Sequence, residues 1–173
     1  MYCIQREAVT SMEQRPPLPP EQAVEYFADT VLRAAFGMVK NLSDAEDIAQ
    51  DTFVSLVRAS PQFESLEHQK AWLLRVAINR SKSHLTSAWM RRRTELDDAL
   101  PDAFTPQENI VLDAVAELPL KYRQVVYLHY IEGYTAAEIG RLLQRSPNTV
   151  LSQLARARAK LQQTLKGEFA DEV

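Results

Sequence analysis

Read for its hydrophobic rhythm, the chain is a series of helices. Val24, Phe27, Val31, Leu32, Ala35 and Val39 recur mostly at spacings of three and four, the period of an amphipathic helix. A capping box at Ser43 and Glu46, in which hydroxyl and carboxylate each satisfy a backbone donor, then opens a second run. Its apolar positions are Ala45, Ile48, Ala49, Thr52, Phe53, Leu56 and Val57, close to an unbroken 3.6-residue stripe. Pro61 stops that helix, and 61–69, with Phe63 inside it, reads as a loop. A long helix is expected from about Lys70 to Arg93.

From Thr94 to Leu112 the rhythm lapses, with Pro101 and Pro106 interrupting any helix. A cap at Thr105 with Pro106 at the first helical position restarts it. Further on, Thr135 and Glu138 form another capping box, opening a helix through Ile139, Leu142 and Leu143. A second helix follows almost at once. Ser146 serves as its N-cap and Pro147 takes the first position, leaving Gln144 and Arg145 as the turn. Val150, Leu154, Ala157, Leu161 and Leu165 form its buried stripe; Asn148, Ser152, Gln153, Arg156 and Lys160 occupy the other side. This is the shape of a helix-turn-helix whose second helix enters a DNA major groove. A plain helical hairpin would carry the same signals, so charge has to separate the two.

Charge does separate them. Between Asp113 and Lys166 eight basic residues stand against four acidic ones, whereas the whole chain has a net charge of −3. A basic C-terminal module on an acidic protein suits one part that meets phosphate and another that does not. The 70–93 helix carries Lys70, Arg75, Arg80, Lys82, Arg91, Arg92 and Arg93 and no acid, with Trp72, Asn79 and Trp89 interleaved. Cations plus aromatics suit single-stranded nucleic acid, whose bases stack on rings while phosphates meet arginines. The 94–112 stretch reverses sign, with Glu95, Asp97, Asp98, Asp102 and Glu108 and no Lys or Arg.

The expected organisation is therefore all-α, two small helical modules joined by a flexible acidic linker, the C-terminal one a helix-turn-helix. The segments are a flexible leader at 1–20, ending in Arg15-Pro-Pro-Leu-Pro-Pro20, a module at 21–93, the linker at 94–112, the second module at 113–168 and a tail at 169–173. At 173 residues the length suits two small domains. No run approaches a membrane span, and the opening residues lack the apolar core of a signal peptide, so membrane insertion is not expected and the location expected is cytoplasmic. Cys3 stands alone and His68, His84 and His129 are scattered without ligand spacing, so neither metal nor cofactor is expected. The acids lie along a capped helix and a linker rather than beside a base, which argues against an enzyme.

Several blocks then resemble one family. Asp44-Ala-Glu-Asp-Ile-Ala-Gln-Asp-Thr-Phe53, Ala71-Trp-Leu-Leu-Arg-Val-Ala-Ile-Asn79, Leu118-Pro119 with Tyr122-Arg-Gln-Val-Val126, Glu132-Gly-Tyr-Thr135 and Thr149-Val-Leu-Ser-Gln-Leu-Ala-Arg-Ala-Arg158 stand in the order found in bacterial RNA polymerase sigma factors of the extracytoplasmic-function type. The resemblance runs from Val24 to Leu165. It implies that 21–93 is sigma region 2 and 113–168 sigma region 4, and that the partners are core RNA polymerase, promoter DNA as duplex and as melted strand, and an anti-sigma factor. It further implies that Asp44, Asp47, Gln50, Asp51 and Phe53 dock on polymerase. Phe63, Asn79, Arg80, Lys82, Arg91 and Arg92 would melt and hold the −10 element, the loop at Phe63 receiving a flipped base. Thr135, Arg145, Asn148, Leu151, Ser152, Ala155 and Arg156 would read the −35 element. Leu151, Gln153 and His84 depart from the family's pattern, the first two standing where many relatives carry cations. The alternative is an autonomous helix-turn-helix transcriptional regulator, which leaves the basic 70–93 helix and the acidic linker without a role.

Overall fold

The computed structural model describes residues 14–91 and 113–170, except for the side chains of 88–91 and 165–170. Every regular element among them is helical, and they fall into two units divided between Ala103 and Phe104. The first 13 residues of the leader, the acidic linker at 94–112 with its Thr105 cap, Arg92, and residues 171–173 of the tail lie outside the described residues, as do the side chains of Trp89, Arg91 and Leu165.

The first unit is a three-helix module of α1 (Pro20–Val39), α2 (Leu42–Ala59) and α3 (Leu66–Arg91), each packed against the other two. Ala23, Phe27, Val31, Ala49, Leu56, Leu66, Leu73 and Ala77 make a common core, with Leu18, Leu32, Phe53, Phe63 and Trp72 packed on its edge. The buried face of α1 begins one residue earlier than its sequence rhythm suggests, at Ala23. Val24 is half exposed, and the turn Ala34–Met38 is buried all round. Val57 is likewise no core residue, being 59% exposed at the outer side of α2.

Helix starts differ from expectation at two places. In α2 the cap is Asn41, not Ser43: its side chain accepts the Asp44 N–H at 2.9 Å from an extended backbone. Lys40 ends α1 in the left-handed conformation, φ 56°, and returns its N–H to Phe36 at 2.9 Å. The reversal is complete in two residues, so the first strong capping residue after it, Asn41, starts the helix. α3 starts at Leu66 rather than Lys70, with Ser65 Oγ accepting the His68 N–H at 3.1 Å. Four residues assigned to a loop are helical because Leu66 and Gln69 face the core. The longer helix also takes in a buried acid, Glu67.

Gln69 explains a further correction. The last residues of the leader are tied down: the Gln69 amide accepts from Leu18 N–H and donates to Leu18 C=O, both at 2.9 Å, and Leu66 N–H bonds the Arg15 carbonyl at 2.8 Å. A proline-rich strand cannot satisfy its own backbone groups. Here the start of α3 satisfies them.

In the second unit, residues 113–116 are helical, α4 (Leu120–Val126) runs on into a π-helical turn (Tyr127–Ile131), and α5 (Ala136–Leu143) and α6 (Pro147–Ala170) follow. Both α4 and α5 pack on α6. Tyr122, Val125, Val126, Tyr127, Leu128, Ile139, Leu142, Val150, Leu154 and Ala157 are buried between them. The π turn, closed by Glu132 N–H to Tyr127 C=O at 3.1 Å, lets the chain reverse at Gly133, whose φ of 79° suits glycine.

Replacing Gln69 by Leu should keep the side chain's bulk while leaving two backbone groups of Leu18 without partners. The expected cost is about 1–3 kcal/mol, read as a lower melting temperature and faster amide exchange at Leu18. Exchange at the wild-type rate would show that the strap holds without Gln69.

Candidate nucleic-acid and polymerase interfaces

The C-terminal reading face is assembled by caps. Thr135 and Glu138 form the capping box as expected: Glu138 Oε2 accepts the Thr135 N–H at 2.7 Å, and Thr135 Oγ1 accepts the Glu138 N–H at 3.3 Å. The Thr135 hydroxyl also donates to that carboxylate at 2.8 Å, so this hydroxyl is occupied by the cap rather than offered to DNA. Ser146 Oγ accepts the Thr149 N–H at 3.1 Å at the start of α6. Gln144 turns the chain in the left-handed conformation, φ 56°. Gly140, which the hydrophobic pattern does not single out, makes the turn possible. A Cβ there would lie 2.6 Å from the Arg145 carbonyl oxygen, well inside contact distance, so backbone packs on backbone.

With Val150, Leu154 and Ala157 buried against α4 and α5, the opposite line of α6 is presented outward. Asn148, Leu151, Ser152, Ala155 and Arg156 are all exposed, and Leu151, at 54%, is an apolar group with nothing of its own module over it. Arg145 does not join them. Its guanidinium is folded onto Gln124 and Gln153, and burial pushes it below the usual arginine value.

In the N-terminal module Asn79 and Lys82 are exposed on α3. Arg80 leans back on α2, donating to Ser55 Oγ at 2.6 Å and pairing with Asp51 at 3.4 Å. One expected DNA contact and one expected polymerase contact are thus each other's partners. Phe63 is half buried, its ring edge-on to His68 and Trp72 at 5.5 and 5.9 Å between centroids. On α2, Asp47, Gln50 and Asp51 are exposed, Asp44 meets His84 at 3.0 Å, and Phe53 is half buried against the core. Two residues of this face escaped the sequence reading. Val54 and Val57 are exposed apolar groups beside Asp47, Gln50 and Asp51, and the only signal for Val57 was its place at the edge of the apolar stripe. Among the described residues no group of three potential metal ligands converges, and no helix is long and apolar enough to cross a membrane.

Comparison with known proteins places these surfaces in context. The family model for Sigma-70 region 2 matches residues 23–91, and that for Sigma-70, region 4 matches 108–161. The chain is similar to the RNA polymerase sigma factor CarQ of Myxococcus xanthus, 33% identical over 144 residues, 79% of this chain and 82% of that protein. It is 32% identical to the RNA polymerase sigma-E factor of Streptomyces antibioticus over 172 residues, 92% of each. Among solved structures it resembles the sigma factor RpoE in complex with the anti-sigma factor NepR from Bartonella quintana, with a TM-score of 0.71 and 19% identity over 84% of this chain and 96% of that one. It also resembles CnrH in complex with the cytosolic domain of CnrY, with a TM-score of 0.64 and 23% identity over 96% and 97%. At these identities the structural likeness speaks for the fold.

Gly140→Ala should force the α5–α6 turn open, at a cost of about 1–3 kcal/mol, the usual range for overpacking against an unyielding wall. The expected readout is lost amide protection at Ile139 and Val150 in the full chain, with the N-terminal module unchanged. Wild-type protection would mean that the turn relaxes freely around a methyl group.

Proposed function

We propose how this chain divides the work of starting transcription between its modules, on the premise that it belongs to the RNA polymerase sigma factors of the extracytoplasmic-function type. It is a transcription initiation factor, binding core RNA polymerase and directing it to promoters. The observation that carries the division is the exposed line Asn148, Leu151, Ser152, Ala155 and Arg156 on α6, opposite the buried Val150, Leu154 and Ala157, with Leu161 half-buried beyond them. That line enters the major groove of the −35 element, where Asn148 and Ser152 hydrogen-bond base edges, Arg156 meets guanine or phosphate, and Leu151 lies against a thymine methyl.

The α2 face takes the polymerase. Asp47 and Gln50 supply polar contacts, Val54 and Val57 supply apolar area that is left uncovered within the module, and Asp51 adds charge at the edge. Asn79 and Lys82 on α3 hold the melted −10 strand, and the loop bearing Phe63 accepts an unstacked base over an aromatic floor built with His68 and Trp72. Free duplex binds weakly, because few cations lie on the reading line of α6. Polymerase joins the two readers on one surface, and the second contact then forms at high effective concentration. Since the similar RpoE structure carries the anti-sigma factor NepR, such an inhibitor is also proposed here. The site of action is the cytoplasm, where polymerase is.

Two variants assayed with purified core polymerase, one by pull-down and one by permanganate footprinting, test the reading. Asp47→Lys with Val54→Glu leaves the Asp51–Arg80 pair intact and should lower polymerase retention in pull-down at least tenfold, about 1.4 kcal/mol. Retention at the wild-type level would move the docking face elsewhere. Asn79→Ala should retain polymerase and promoter but reduce permanganate reactivity of unpaired thymines, a loss of about 0.5–1.5 kcal/mol for one hydrogen bond to a base. Equal footprints in variant and wild type would remove Asn79 from the melted strand.

A further inference from the structure

The turn between α5 and α6 carries a guanidinium that points into its own module. Arg145 donates to the side-chain oxygen of Gln124 on α4, to Gln153 Oε1 on α6 at 3.0 Å, and more distantly to the Lys121 carbonyl at 3.4 Å. Gln124 is itself buried, 3% exposed, so this acceptor is held by the core and not by solvent. The Arg145 backbone adds two more constraints: its N–H bonds the Gly140 carbonyl at 2.8 Å and its own carbonyl rests against Gly140. One residue therefore touches α4, α5 and α6.

We propose that Arg145 is a positioning residue for promoter readout: tying Gln153 to Gln124, it sets the roll of α6 and so decides which bases Asn148, Leu151, Ser152 and Arg156 meet, while touching no phosphate itself. The inference rests on α6 being the −35 reader. Geometry shows why roll matters. The planar fork needs both acceptors at fixed angles, which a lysine ammonium does not demand. At the outer radius of a helix, about 5–6 Å, a roll of about 20° moves a side-chain tip by about 2 Å, enough to break a hydrogen bond. Gln153 follows Ser152 directly in α6, so a tether at Gln153 acts beside the residues that read. The packed stripe of Val150, Leu154 and Ala157 holds α6 against its neighbours, and the two charge-assisted hydrogen bonds from one guanidinium to Gln124 and Gln153 add a directional restraint on its fine roll.

The test uses holoenzyme reconstituted with core polymerase and the variants Arg145→Met, Arg145→Lys, Gln153→Ala and Arg145→Met with Gln153→Ala. Two quantities are read: base preference across a randomised −35 library, and the slope of promoter affinity against salt. Each single variant should flatten the preference by roughly tenfold, the discrimination one good base contact carries. The double variant should be no worse than Arg145→Met, because both remove one linkage. The salt slope should stay at the wild-type value. A slope shallower by about 0.9, the signature of one lost phosphate contact, together with an unchanged preference profile would overturn the proposal, as would a wild-type profile for Arg145→Lys or effects of the two single changes that simply add. A wild-type holoenzyme with no −35 preference at all would instead overturn the assignment of α6 as reader, and the clamp with it.

Discussion

The chain turns from α1 to α2 at Lys40 and Asn41, and from α5 to α6 between Gln144 and Ser146, and the outward faces of α2 and α6 hang on these reversals. A helix joined to its neighbour by two or three residues has little choice of which face to bury. Both turns are closed by a non-glycine residue in the left-handed conformation, which costs on the order of 1–2 kcal/mol each. That strain persists because a residue one or two positions further on caps the following helix, Asn41 directly after Lys40 and Ser146 two after Gln144. Burial of Val150, Leu154 and Ala157 then leaves Asn148, Leu151, Ser152, Ala155 and Arg156 outward by geometry, and burial of Ala45, Ile48, Ala49, Thr52 and Leu56 leaves Asp47, Gln50, Val54 and Val57 outward on α2.

Charges that meet another group of the same module are held in two different ways. Arg80 with Asp51, and His84 with Asp44, are partly exposed pairs, of the sort that contributes about 0–1 kcal/mol. A polymerase or a DNA strand can compete for such groups at little expense. Arg145 is different. Its acceptors include a buried glutamine, and separating them would strand a polar group away from water, a penalty of about 1–3 kcal/mol. Weakly held pairs suit groups that must change partners, and firmly held ones suit groups that set geometry.

The helical period, the capping boxes at Thr135 and the proline at the start of α6 were legible from residue order alone, because they depend on contacts three or four residues apart. So were the division into an acidic-faced and a basic module and the outward line of α6, since charge and period are both local properties. The family followed from the order of motif blocks. Other features depend on residues far apart in the chain. Gln69 reaches Leu18 across 51 positions, Arg80 reaches Asp51 across 29, and Arg145 reaches Gln124 across 21.

Only packing in three dimensions could therefore decide that the end of the leader is strapped, that α3 starts at Leu66, and that Arg145 faces inward. The same holds for Val57, which periodicity placed in the core and which the third helix of the module leaves outside. Sequence determines which residues are able to bury, cap or carry charge, because those are properties of a residue and its near neighbours. Tertiary structure decides which of them are spent within the fold and which are left for polymerase and promoter, because that depends on what happens to lie across the helix.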